Sequence, residues 1–361
     1  MSMRLTRCEI AVIGISMVCY AALVVYVQAA GYNVVNSDCL RYNHWSYAWL
    51  DFSQRCSSQL PLFPITLWAF RGLTFGLLPD GVVMQAVALL FGVGGLVYVH
   101  KILSDYLPAA RNSGFFLFAL FPLVGLWFAV DPRADTLAIL CLTGAMYYSL
   151  KGNWRLFALC LAAGLVTHKA IWPFLALLSV DAVWRKKCPL FWPLAAGVPL
   201  LIYWCWGLYH GQSALWFFQE NVAVEFASKS SLPIMDGMLG TLLHAKSAAK
   251  LLKALLIVAI FAVTVGLLVW NIRRLRQPDA MFNIALLLPV FLLAVLLNQH
   301  EVFSTVRFGR VIAIPVAAFL VVNERLRKFL ERPACFYAAV VVCVLTNVAF
   351  SYYATKWTSA M

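Results

Sequence analysis

Apolar runs broken by short charged stretches recur along the whole chain, at 9–29, 81–100, 114–130, 136–150, 154–167, 169–184, 189–208, 251–270, 281–298, 309–322 and 335–352. A helix crossing the hydrocarbon core of a bilayer needs about 20 apolar residues, so each run reads as one span. Several are shorter than a full crossing, notably 136–150 and 154–167, and need neighbouring helices or a thinned membrane to shelter their ends. The pattern predicts an all-α, polytopic transmembrane protein of about eleven spans. It forms a single transmembrane domain over 1–361, with no soluble C-terminal domain.

Two polar stretches break this rhythm. Residues 30–80 form the first outer loop, and within it Pro61 to Gly76 is amphipathic, suited to lie in the interface rather than to cross. Residues 209–250 form a second cap, so interfacial helices are expected in the first and fourth outer loops. Taking 60–78 as a span would reverse everything after it and place Arg185 to Lys187 and Arg273 to Arg276 outside, against the positive-inside rule.

Composition sharpens the class. Apolar residues make up 63% of the 361, charged residues 12%, and the mean hydropathy is +0.82. Soluble domains hold roughly half apolar residues. The net charge of +13 sits in short clusters between apolar runs, the pattern that orients a membrane protein, and this argues against nucleic acid as a partner. With the N-terminus in the cytoplasm, inner segments carry 16 of the 28 Lys and Arg against 6 of the 15 acids. The first run, to about Ala30, exceeds the roughly 7–15 residues of a signal-peptide core and reads as an uncleaved span. Localisation is therefore an integral, multi-pass protein of a bacterial inner membrane or endoplasmic reticulum, with its active face extracytoplasmic.

Five of the six histidines and most acids fall on the outer side, which draws the search for chemistry there. Three constellations stand out. Asp38, Arg41 and His44 are spaced at i, i+3 and i+6, which allows them one side of a short helix. A carboxylate at an apolar boundary tends to a raised pKa and suits a general base; it suits a helix cap equally. Asp131 and Asp135 flank Arg133 at the mouth of an apolar helix, where an acid near the N-terminus favours the helix dipole or holds a metal or an acceptor. Arg307 and Arg310, with Lys169 beside His168, place cations on the less basic face, where they suit a phosphate as well as lipid headgroups. No metal-ligand spacing such as C-x-x-C or H-E-x-x-H is present. Cys39 and Cys56 share one polar loop and would pair in an oxidising compartment; the other eight cysteines lie mostly in apolar runs.

In order, these features resemble the GT-C superfamily of polytopic glycosyltransferases, the group of protein O-mannosyltransferases, GPI mannosyltransferases and the aminoarabinose transferase of lipid A. Asp38 matches the acid that opens the first outer loop, and Pro61-Leu-Phe-Pro64 resembles the proline element that follows it. Asp135, the turn Lys151 to Arg155, and Gly164-Leu-Val-Thr-His168-Lys169 resemble the family's second loop and its successor. Arg307-Phe-Gly-Arg310 before Pro315 resembles a late Arg-containing element. The match runs from Met1 to about Val322 through short motifs. It departs at Cys39, where several relatives carry a second acid, which weakens the case for metal there.

The resemblance implies a hexosyltransferase that moves a sugar such as mannose from a polyprenyl-phosphate donor to an acceptor hydroxyl, with inversion. Asp38 would be the general base. Arg307, Arg310, Lys169 and His168 would hold the phosphate, and Asp135 or Asp131 would position acceptor or metal. Arg41 and His44 would support Asp38 from behind. The one cofactor it leaves room for is a divalent cation, Mg2+ or Mn2+. The partners implied are the lipid donor, membrane lipid and a glycan, lipid or protein acceptor, with acceptor recognition built from loops or from a second membrane subunit. The alternative is a transporter or flippase of a lipid-linked or anionic substrate, for which repeated halves and helices broken at the midplane would be expected.

Overall fold

The structure, a computed structural model, describes residues 6–7, 10–11, 13–15, 17–18, 21–22, 25, 37–50, 60–107, 132–214, 216, 248–277, 279–296, 324–338 and 341. Among the described residues every regular element is helical. The expected spans at 114–130 and 309–322 lie outside them, as do most of 9–29 and 335–352 and the loop at 217–247.

Two short helices, α1 (Ser37–Tyr47) and α2 (Leu62–Leu73), precede the long α3 (Asp80–Tyr106). At about 1.5 Å per residue neither α1 nor α2 is long enough to cross a bilayer. The bundle continues through α4 (Asp135–Lys151), α5 (Trp154–Leu165), a 3-10 turn (Lys169–Ile171), α6 (Trp172–Trp184) and α7 (Phe191–Tyr209). Beyond the cap come α8 (Ala248–Ile272), α9 (Ala280–Leu296) and the short α10 (Glu324–Leu330). The helices α3 and α7 are long and apolar enough to cross a membrane, with mean hydropathies of 2.2 and 1.4 over their central windows.

Close contacts fix the helix directions. A Cβ on Gly95 would stand 2.8 Å from Ile139 Cγ2, and one on Gly144 would stand 3.2 Å from the Tyr98 ring. The contacts advance together, so α3 and α4 run the same way at a spacing that glycine permits. Gly144 also abuts Cys160, and Gly164 abuts Cys141, so α4 and α5 are antiparallel. Their turn is written locally: Gly152 takes the left-handed conformation at φ 66°, and Asn153 caps α5 by accepting the Leu156 N–H at 3.3 Å. Past α6, Lys186 bonds Ser149 near the end of α4, and Asn271 of α8 accepts from Asn283 of α9 at 3.1 Å.

Helix ends therefore gather in two sets. One set comprises the starts of α3, α4 and α6, the ends of α5 and α7, and both short helices α1 and α2; Asp135 marks it. The opposite set, around Lys186, comprises the ends of α3, α4, α6 and α8, the starts of α5, α7 and α9, and α10. Between them lies an apolar core of α2 to α6 and α9, including Phe63, Leu142, Met146, Phe157, Phe174 and Phe282, all under 3% exposed. A second cluster of Trp45, Leu60, Tyr203 and Trp216 seals the Asp135 end.

Candidate functional site at the Asp135 end

The site grows from the junction of α5, the 3-10 turn and α6. Thr167 is buried and donates its hydroxyl to the Ala163 carbonyl at 2.6 Å, closing the last turn of α5. His168 then leaves the helix in an extended conformation and caps the 3-10 turn, its Nδ1 accepting the Ala170 N–H at 3.1 Å. A nitrogen that accepts carries no proton, so this bond places the ring proton on Nε2. Nε2 faces the Asp135 carboxylate, 3.7 Å from Oδ1. That spacing is within ion-pair reach but longer than a hydrogen bond.

Asp135 is the first residue of α4, buried among core side chains, and a first-turn acid there is favoured by the dipole of α4. Ala134, not Asp135, is the N-cap, and it provides no side-chain cap. Lys169, half-buried, follows His168 as the first residue of the 3-10 turn.

The first loop is docked over this junction. Leu62 donates its backbone N–H to the Val166 carbonyl at 3.1 Å, and Trp172 donates its indole N–H to the Leu165 carbonyl at 2.9 Å. On α1, Tyr42 meets Phe63 edge-on with ring centroids 5.2 Å apart, and Trp45 is fully buried. Asp38 belongs to α1, one turn before Tyr42; its side chain lies outside the described residues. Arg41 and His44 are exposed on α1, whereas Tyr42 and Trp45 are buried.

A second polar cluster, which sequence reasoning missed, clamps this loop to the bundle. Arg71 of α2 pairs through Nε with Asp80 Oδ1 at 3.0 Å, donates to Ser46 and Asn43, and lies 4.1 Å over the Tyr47 ring. Asp80 also accepts from Asn43 Nδ2 and from the Tyr47 hydroxyl, each at 2.7 Å. The hydrogen bond to Asp80, with burial, holds the Tyr47 hydroxyl above the usual phenol range, against the opposing pull of Arg71. The sequence signal was present in Arg71 and Asp80 flanking one turn, but their partners stand 25 or more residues earlier.

The structure thus brings Asp135 and His168 together, with Lys169 next in the chain, and places the helix bearing Asp38 at the same end. Asp131, Arg307, Arg310 and Cys56 lie outside the described residues, as does the side chain of Cys39. Among the described residues no group of three or more His, Cys, Asp and Glu side chains could hold a metal ion. Neither a family model, nor a curated protein, nor a solved structure matches this chain.

Proposed function

We propose that the protein is a multi-pass membrane glycosyltransferase of the GT-C type, working on the extracytoplasmic side with a polyprenyl-phosphate sugar as donor. The observation that carries the reading is the meeting, at the end where the Asp38-bearing helix is docked, of Asp135 at the start of α4 with His168 at the α5–α6 junction. Two further observations support the membrane setting. Only 17% of the apolar central window of α7 is buried, and Leu194, Leu201 and Ile202 are more than half exposed. Apolar surface of that extent is rare on soluble monomers and normal against lipid. The division of helix ends into two sets is also consistent with the division of loops by charge that the positive-inside rule would use to orient the bundle.

In this reading Asp38 takes the proton of the acceptor hydroxyl as its oxygen attacks the anomeric carbon. The bond from that carbon to the donor's phosphate oxygen breaks on the opposite face, which inverts the configuration and releases polyprenyl phosphate. Lys169 and the Nε2–H of His168, with Arg307 and Arg310 from later in the chain, meet the charge that develops on the phosphate. Asp135 orients His168 and positions the acceptor. The test is transfer of labelled hexose from a polyprenyl-phosphate donor by purified protein. Asp38→Asn should abolish transfer with the melting temperature unchanged, and full activity in that variant rules out this base.

A further inference from the structure

A cleft of about 1100 Å³ opens at the Lys186 end, remote from the proposed catalytic residues. Its walls carry Arg185, Lys186, Arg276 and Arg327 against Asp279 and Glu324, so cations are in excess. Cations that merely orient a chain in the membrane need only sit in loops. These are built into a wall: Arg185 donates to the Gln277 carbonyl and ties the α6 end to the α8–α9 turn. Lys186 is held between Asp181 Oδ2 at 3.0 Å and Ser149 Oγ at 3.0 Å, with Phe282 beneath it at 4.8 Å. Glu324 is engaged by Lys328 at 2.8 Å, and Arg327 reaches Glu331 at 3.6 Å, so one outside charge of each sign offsets the wall and the excess of cations stands. Arg276 is exposed and makes no ion pair or hydrogen bond with another described residue.

The rim is apolar as well as basic. Trp184 lines the cleft with 71% of its surface exposed, and Leu275 with 40%. Indole and leucine side chains beside guanidinium groups match the headgroup level of a bilayer, where an amphipathic ligand presents a phosphate and a greasy stem together. The space is far larger than a bare phosphate ion and comparable to sites for drug-sized ligands.

The geometry points to a binding site for the phosphate headgroup of an anionic phospholipid in this cleft, separate from the donor site. The assignment rests on the membrane reading and is independent of sugar transfer, so the two fail separately. Purified protein in neutral detergent is titrated with short-chain phosphatidylglycerol, short-chain phosphatidylcholine and inorganic phosphate. Phosphatidylglycerol should bind at least about tenfold more tightly than phosphatidylcholine and should not be displaced by equimolar phosphate. Arg276→Gln with Arg327→Gln should weaken it about tenfold. Trp184→Ala, at an exposed position, should weaken it about threefold without altering the fold. The pair Arg155→Gln with Arg273→Gln, exposed cations outside the cleft walls, should leave affinity within about twofold. Equal binding of phosphatidylcholine, displacement by phosphate, or an equal loss in the control pair would each overturn the assignment.

Discussion

The two ends of the bundle treat charge in opposite ways. At the Asp135 end the described pair Arg71 and Asp80 is engaged by several partners on each side: Arg71 touches Asp80, Ser46, Asn43 and the Tyr47 ring at once. At the Lys186 end cations outnumber acids around an open cleft, and one pair, Asp181 with Lys186, is drawn inside the protein. Sharing charges among many partners fixes geometry, which chemistry needs. Leaving Arg276 without a described protein partner keeps it available for an anion.

The buried pair offers the strongest way to break this contrast. Asp181 is fully buried, and burial pulls the Lys186 ammonium below the ordinary lysine range while Asp181 pulls it back up. Lys186→Met would strand the carboxylate and should cost about 3–5 kcal/mol, seen as a large fall in melting temperature. Adding Asp181→Asn should recover a substantial part, and no recovery would refute the pairing.

The next largest effect should come from the other end and be catalytic. Asp135→Asn removes the charge facing His168 Nε2 and should lower transfer about a hundredfold while the melting temperature holds. A fall in stability with no change in rate per folded molecule would make Asp135 structural only.

Arg71→Met probes the clamp on the first loop. Because the Asp80 side chain is 39% exposed, the loss is discounted for solvent and should be about 1 kcal/mol. Its effect on transfer should exceed its effect on melting temperature if α1 must be held over the junction. Smallest of all, Lys328→Gln breaks a pair exposed on both sides and should move the melting temperature by about 1 °C or less.

Much of the scaffold was legible in the chain. Gly152-Asn153 announces the α4–α5 turn, and the amphipathic Pro61 to Gly76, read as interfacial, holds the short helix α2. Asp135 was read as a first-turn acid or cap, and it takes the first turn of α4. Boundaries moved where apolar character fades before the helix does: α3 runs to Tyr106, past the apolar run that ends near residue 100. The rotation of α1 is set by Tyr42 and Trp45, because apolar burial, worth about 1.5–3 kcal/mol per large side chain, decides which face turns inward.

By itself, then, the sequence determined what depends on local chemistry: an all-helical chain, its turns and caps, and the sorting of its charges into two groups of loops. Only the tertiary structure decided which distant groups meet. That Ala170 sets the tautomer His168 shows to Asp135, that Arg71 gathers partners from α1, and that Lys186 leaves water for Asp181 all depend on helix packing. The reason is physical. Helix propensity and hydropathy act over a few residues, whereas the distance between two side chains on separate helices is fixed by glycine contacts and interlocked rings such as Gly95 against Ile139.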